Sequence, residues 1–142
     1  MPKVGFVMLN PSRANASIDD PTLRRCISLA KAWGYGALEV VNLFAYCTAN
    51  PEQLQEVEDP IGPENHLYLN RLPYCVDQVV VAWGNRGTLM DRSNLALATL
   101  SGRSHLYCVG ITRHQQPRHP LYVPADTPLQ LFESHVGGRI SS

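Results

Sequence analysis

Four short apolar runs constrain what this chain can become: "VGFVML" from Val4, "ALEVVNLF" from Ala37, "QVVVAWG" from Gln78 and "SHLYCVG" from Ser104. Continuous apolar runs of about four to eight residues between turn signals read as strands buried on both faces. The segments between them carry helical signals. Asp20 is placed to cap a helix whose first residue is Pro21. Leu23, Cys26, Ile27, Ala30 and Trp33 then recur at helical spacing, and Gly34 stops the helix. Pro63 opens a second helix through Leu67, Leu69 and Leu72, and a third is expected over 88–100. One helical turn is expected around 53–57 and a short helix in the tail "LQLFESHVGGRISS", with 136–142 frayed.

Strands that alternate with helices favour parallel pairing, because each right-handed crossover returns the chain to the same end of the sheet. The expectation is an α/β fold: one three-layer domain over 1–142 with a mainly parallel four-stranded sheet. At 142 residues a single domain buries roughly 68–70% of its unfolded surface, enough for such a core. Sheets of this kind bind ligands beyond the carboxyl ends of their strands. The segments leaving those ends are "NPSRANASIDD", "AYCTANP", "NRG" and "ITRHQQPRHPLY", and they hold nearly all the chemically capable residues.

Charge narrows the partners. Twelve basic and twelve acidic residues cancel, so no global pull toward duplex DNA or a membrane surface is expected. Ten of the twelve basic residues are Arg, whose planar fork suits phosphate and carboxylate, although a GC-rich genome gives the same bias. Cys26, Cys47, Cys75 and Cys108 lie far apart with no C-x-x-C pair, which gives no metal site and no cofactor. With no apolar leader before the first run, reduced thiols in the cytoplasm are expected. Glycine-rich dinucleotide, P-loop and nucleophile-elbow motifs do not occur.

Each candidate residue has two readings. Asn10, Pro11 and Ser12 position a water or ligand, or simply make a turn. Asp20 is a cap, while Asp19 is open to acid–base work. Asn42 interrupts an apolar strand, where its amide either bridges backbone groups or points into the crevice to read a base edge. Phe44 and Tyr46 stack on a planar ligand or pack the core. Arg113, His114, Arg118 and His119 share one loop, a poor metal site and a good place to meet negative charge.

The segments "GFVMLNPSRANASIDDPTLRRC", "WGYGALEVVNLFAYCTANP", "GPEN" and "QQPRHPLYVPADTPL" resemble a bacterial family of unknown function, domain of unknown function 1643. A more distant resemblance, to the uracil-DNA glycosylase superfamily, carries chemistry. Met8-Leu9-Asn10-Pro11 resembles that superfamily's first motif, in which Asn or Asp positions the attacking water. Asn42 is similar to its base-reading Asn, Gly84 to a Gly at a strand end, and His119-Pro120 to its His-Pro motif. Met8 and Leu9 stand where the superfamily has Gly, and Leu121 where it has Ser. The resemblance implies a uracil-DNA glycosylase-like fold and hydrolysis of an N-glycosidic bond, with Asn10 and His119 catalytic. Pro11, Ser12, Asp19, Asn42, Phe44, Tyr46, Gly84, Arg113 and Arg118 would bind a nucleobase, nucleotide or single-stranded nucleic acid. A non-catalytic binding module is the alternative, and an unrelated hydrolase using Asp19 as base and His119 as acid is a third.

Overall fold

The computed structural model describes residues 2–9, 21–44, 65–100 and 105–132. Within them the chain forms β1 (Lys3–Met8), α1 (Pro21–Ala32), β2 (Ala37–Asn42), α2 (Asn65–Cys75), β3 (Gln78–Val81), α3 (Arg92–Leu100), β4 (Leu106–Cys108) and β5 (Gln130–Leu131). The strands lie in the order β2-β1-β3-β4-β5. β2, β1, β3 and β4 run parallel, with Phe6 of β1 opposite Val40 on one side and Val80 on the other.

The sheet therefore has five strands rather than four. β5 runs antiparallel to β4, with Tyr107 opposite Leu131 and Cys108 opposite Gln130. It occupies the start of the tail in which a short helix is expected, and the tail beyond Phe132 lies outside the described residues. Phe132 follows β5 into the core, and its amide donates to the Leu106 carbonyl at 2.8 Å, so the strand is held by β4 and one apolar anchor. The helical turn expected at 53–57 and the frayed end at 136–142 lie outside the described residues.

Alternation along each strand splits the core in two. Val4, Phe6 and Met8 of β1, with Val80 and Ala82, pack with Cys26, Leu29 and Ala30 of α1. Val7, Val79, Val81 and Trp83 face the other way, toward Leu69 and Leu72 of α2 and Ala96, Leu97 and Leu100 of α3. Both faces are covered, which is why the strands read as unbroken apolar runs. α1 stops as its sequence demands. Gly34 has φ 91°, its amide bonds the Lys31 carbonyl, and the Tyr35 amide reaches back to Ala30, the two bonds of a Schellman cap.

Two local expectations need correction. The third helix begins at Arg92, not Thr88. A 3-10 segment, Asn85–Asp91, precedes it and is broken where Met90 and Asp91 take positive φ. The second strand ends at Asn42, and Leu43 and Phe44 continue as buried coil whose amides bond the Met8 and Leu9 carbonyls. Among the described residues no helix is long and apolar enough to cross a membrane.

Candidate functional site at the carboxyl ends of β3 and β4

β4 leads into a hairpin that the sequence had left as irregular loop. Ile111 and Pro117 form its closing bridge. The Thr112 amide bonds the Gln116 carbonyl at 2.7 Å, the Gln115 amide bonds the Thr112 carbonyl at 3.0 Å, and Gln115 has φ 66°. This is a three-residue hairpin loop with a left-handed third residue. Arg113 and His114 occupy its tip. The Thr112 hydroxyl accepts from the amides of His114 and Gln116, each at 3.2 Å, so the tip is pre-formed.

Three hydrogen bonds fasten this hairpin to the end of β3. The Gly84 amide donates to the Pro117 carbonyl at 2.8 Å. The Thr112 hydroxyl donates to Asn85 Oδ1 at 2.6 Å. Trp83 Nε1 donates to Gln116 Oε1 at 3.0 Å, a bond with both partners buried. Between the two segments lies a cleft of about 620 Å³. Gly84, Asn85 and Arg86 line it from β3. Thr112, Arg113 and His114 line it from the hairpin, and Arg118, His119 and Tyr122 from the chain beyond. Among the described residues no Asp or Glu lines it.

His119 is the most constrained of these side chains. It caps the short 3-10 turn Pro120–Tyr122, and its Nδ1 accepts the Leu121 amide at 3.2 Å. An accepting Nδ1 carries no proton, so the neutral ring holds its proton on Nε2. Burial pushes the His119 pKa below the usual histidine value. The ring is thus held neutral, with Nε2–H as its free donor. Tyr122 meets it edge-on with centroids 5.9 Å apart, and Tyr122 itself is 79% exposed. Arg25 of α1 secures the turn from behind: its Nη1 donates to the Pro120 carbonyl at 3.2 Å and to the Val123 carbonyl.

Of the residues expected at the site, Gly84, Arg113, Arg118 and His119 come together in this cleft. Asn42 does not line it. Asn42 sits at the end of β2, two strands from β3, and its carbonyl accepts from the Asn65 amide group. Phe44 is fully buried in the core beside Leu43 and Leu69, so the packing reading of that residue holds and its ring is not available to stack on a ligand. Asn10, Pro11, Ser12, Asp19 and Tyr46 lie outside the described residues. His114, expected as part of the loop that meets negative charge, lines the cleft as well, whereas Asn85, Arg86, Thr112 and Tyr122 were not among the expected ligand contacts. The run Gly84-Asn85-Arg86 at a strand end was the signal for the first two. Tyr122, three residues after His119, had none beyond its place in the loop.

The model of the family described as protein of unknown function, DUF1643, matches residues 1–121. The chain belongs to this family. The match takes in every cleft-lining residue of this DUF1643 protein except Tyr122. No curated protein and no solved structure matches the chain.

Proposed function

We propose that this DUF1643 protein recognises a nucleotide in the β3–β4 cleft and hydrolyses its N-glycosidic bond. The observation that carries the reading is the neutral His119 in a cleft that three arginines line, with no partner on its Nε2–H and no carboxylate in the lining among the described residues. In that reaction water adds its oxygen to the anomeric carbon. The base leaves with the electron pair of the broken C–N bond and finally takes the proton that the water gives up. Negative charge therefore develops on the base in the transition state. A fixed N–H donor aimed at that charge is worth most where water is scarce, and a neutral imidazole donates without surrendering its proton. Asn10 is the group proposed to orient the water, as the likeness to the uracil-DNA glycosylase superfamily implies. The exposed ring of Tyr122 offers the base a stacking surface in place of Phe44.

A non-catalytic nucleotide-binding module is the second reading. Met8 and Leu9, where that superfamily has Gly, are buried in the core at 3% and 7% exposure. Their side chains are given over to core packing, where a Gly would leave bare backbone for a substrate to approach.

Mass-spectrometric detection of free base separates the two. The substrates are single-stranded DNA, RNA, nucleotides and modified nucleosides, offered to the wild type, Asn10→Ala and His119→Ala. Base released by the wild type and lost in both variants supports hydrolysis. Silence from all three, with nucleotide still bound, leaves the binding module. Silence without binding overturns both.

A further inference from the structure

We infer that the arginine-lined side of the cleft is a subsite for a terminal phosphate, so that the ligand is a phosphate monoester of a nucleotide. This rests on the nucleotide reading above and specifies its substrate class. The chain as a whole is neutral, so the positive charge of the cleft is local. Arg86 comes from the end of β3, Arg113 from the hairpin tip and Arg118 from the hairpin exit. Among the described residues no carboxylate stands against Arg113 or Arg118.

The arrangement is pre-formed. Gly110 has φ 132°, and a Cβ there would lie 2.9 Å from Arg118 Cδ and 3.3 Å from its Nε. The Arg118 stem therefore runs closely across Gly110, whose φ itself favours glycine. The Arg118 amide bonds the Gly110 carbonyl at 2.9 Å, fixing the residue from its other side. The Thr112-locked turn fixes the backbone that carries Arg113. Side chains on fixed stems lose less freedom on binding, and guanidinium forks meet phosphate oxygens in pairs.

The number of forks matches a terminal phosphate. A monoester offers three unesterified oxygens and carries about −1.5 to −2 charges at pH 7. An internal phosphodiester offers two such oxygens and a single charge, a poorer match for the two guanidiniums of Arg113 and Arg118. The volume agrees, since about 620 Å³ falls among pockets of roughly 300–1,000 Å³ that take one compact ligand. A run of several nucleotides would need a groove.

Calorimetric titration with methyl phosphate and with dimethyl phosphate tests the subsite without any base. The wild type should bind the monoester about tenfold or more tightly than the diester, as charge-assisted paired bonds predict. Arg113→Gln/Arg118→Gln, two exposed positions, should lose that preference while melting like the wild type. Equal binding of the two esters by the wild type, or an undiminished preference in the double variant, overturns the inference. Nucleoside monophosphates should likewise outbind their nucleosides. A mononucleotide that outbinds a terminally phosphorylated dinucleotide identifies a free nucleotide, and equal binding identifies a strand end; a 5′-hydroxyl dinucleotide binding as well as either overturns the subsite. Should all nucleoside monophosphates bind no better than ribose phosphate, base recognition fails while the phosphate subsite stands.

Discussion

Replacing Gly87 by Ala should unseat Trp83 and, through it, the cleft. A Cβ on Gly87 would lie 2.0 Å from Trp83 Cδ1, 2.6 Å from Cγ and 2.7 Å from Nε1. Carbon atoms settle at about 3.5–4.0 Å, so the indole must move by more than an ångström. It has nowhere easy to go, being 1% exposed and packed among Leu9, Leu43 and Cys108. Overpacking of this kind costs about 1–3 kcal/mol. Movement also breaks the buried bond from Trp83 Nε1 to Gln116 Oε1, and an unsatisfied buried polar group costs about 1–3 kcal/mol. A loss of about 2–6 kcal/mol is a large share of the roughly 5–15 kcal/mol that holds a domain together. Urea denaturation followed by tryptophan emission reads it directly. With a slope of about 1–3 kcal/mol per molar, the midpoint should fall by about 1 M or more. Gly34→Ala is the control: its Cβ would meet nothing within 4 Å, so it should lose only the strain of a positive φ, about 1–2 kcal/mol. Gly87→Ala proving no worse than Gly34→Ala would refute the reasoning. Because Gln116 closes the hairpin that presents Arg113, any Gly87→Ala protein that still folds should also bind phosphate more weakly.

Arg92 is 4% exposed, with Nε donating to the Leu43 carbonyl at 3.1 Å and Nη2 to Asn65 Oδ1. Arg92→Met should strand both acceptors and lower stability by about 2–5 kcal/mol, measured as a fall in the urea midpoint; an unchanged midpoint would mean that the guanidinium is replaceable by apolar packing. His119 should make stability depend on pH. Its folded pKa lies below the usual value of 6.5, so the unfolded chain binds more protons between those two values. The stabilisation is complete above about pH 6.5 and is lost as pH falls through the folded pKa. Midpoints at pH 7.5 and pH 5 should differ more for the wild type than for His119→Asn, whose amide oxygen can still accept from Leu121; equal differences would show that His119 titrates as it does in the open chain.

Where the sequence was readable, a single force dominated. The strands β1 and β3 show as apolar runs because both faces are covered, while β2, at the sheet edge, shows as one although its residues are only half-buried or exposed. α1 shows at both ends because Pro21 and Gly34 leave the backbone little choice. Where it was not readable, tertiary contacts overrode local preference. β5 is two residues long and exposed, and it exists only because β4 presents an open edge to it. The hairpin at Thr112 was hidden because its left-handed position holds Gln115, where Gly or Asn is the usual mark. The third helix starts later than its spacing predicts because Met90 and Asp91 both take positive φ, which Asp tolerates better than most residues but which the type of Met90 does not announce. Phe44 shows the limit of residue type: an aromatic near a strand end fits a stacking role and a core role equally, and only burial decides. The position of the candidate cleft, in contrast, was legible from topology, since the loops that leave parallel strands gather at one end of the sheet.

The arginine excess, which composition alone left open between genome bias and function, takes on meaning from position. Arg86, Arg113 and Arg118 line the cleft. Arg25 and Arg92 do a different job, each joining a helix to the carbonyls of a strand-end loop. Arg25 ties α1 to the turn that carries His119, so this helix also holds the proposed leaving-group donor. Arg92 ties α3 to the coil after β2 and, through Asn65, to the start of α2. These tasks need several N–H donors held at fixed angles, which a guanidinium supplies and an ammonium does not. A genome bias that trades Lys for Arg would scatter arginines over the surface without regard to the strand ends. Half of the chain's ten arginines instead act at one end of one sheet, three facing the cleft and two bracing the loops around it. The substitution that tests composition against function is therefore Lys for Arg at these five positions, where charge is kept and the fork is lost.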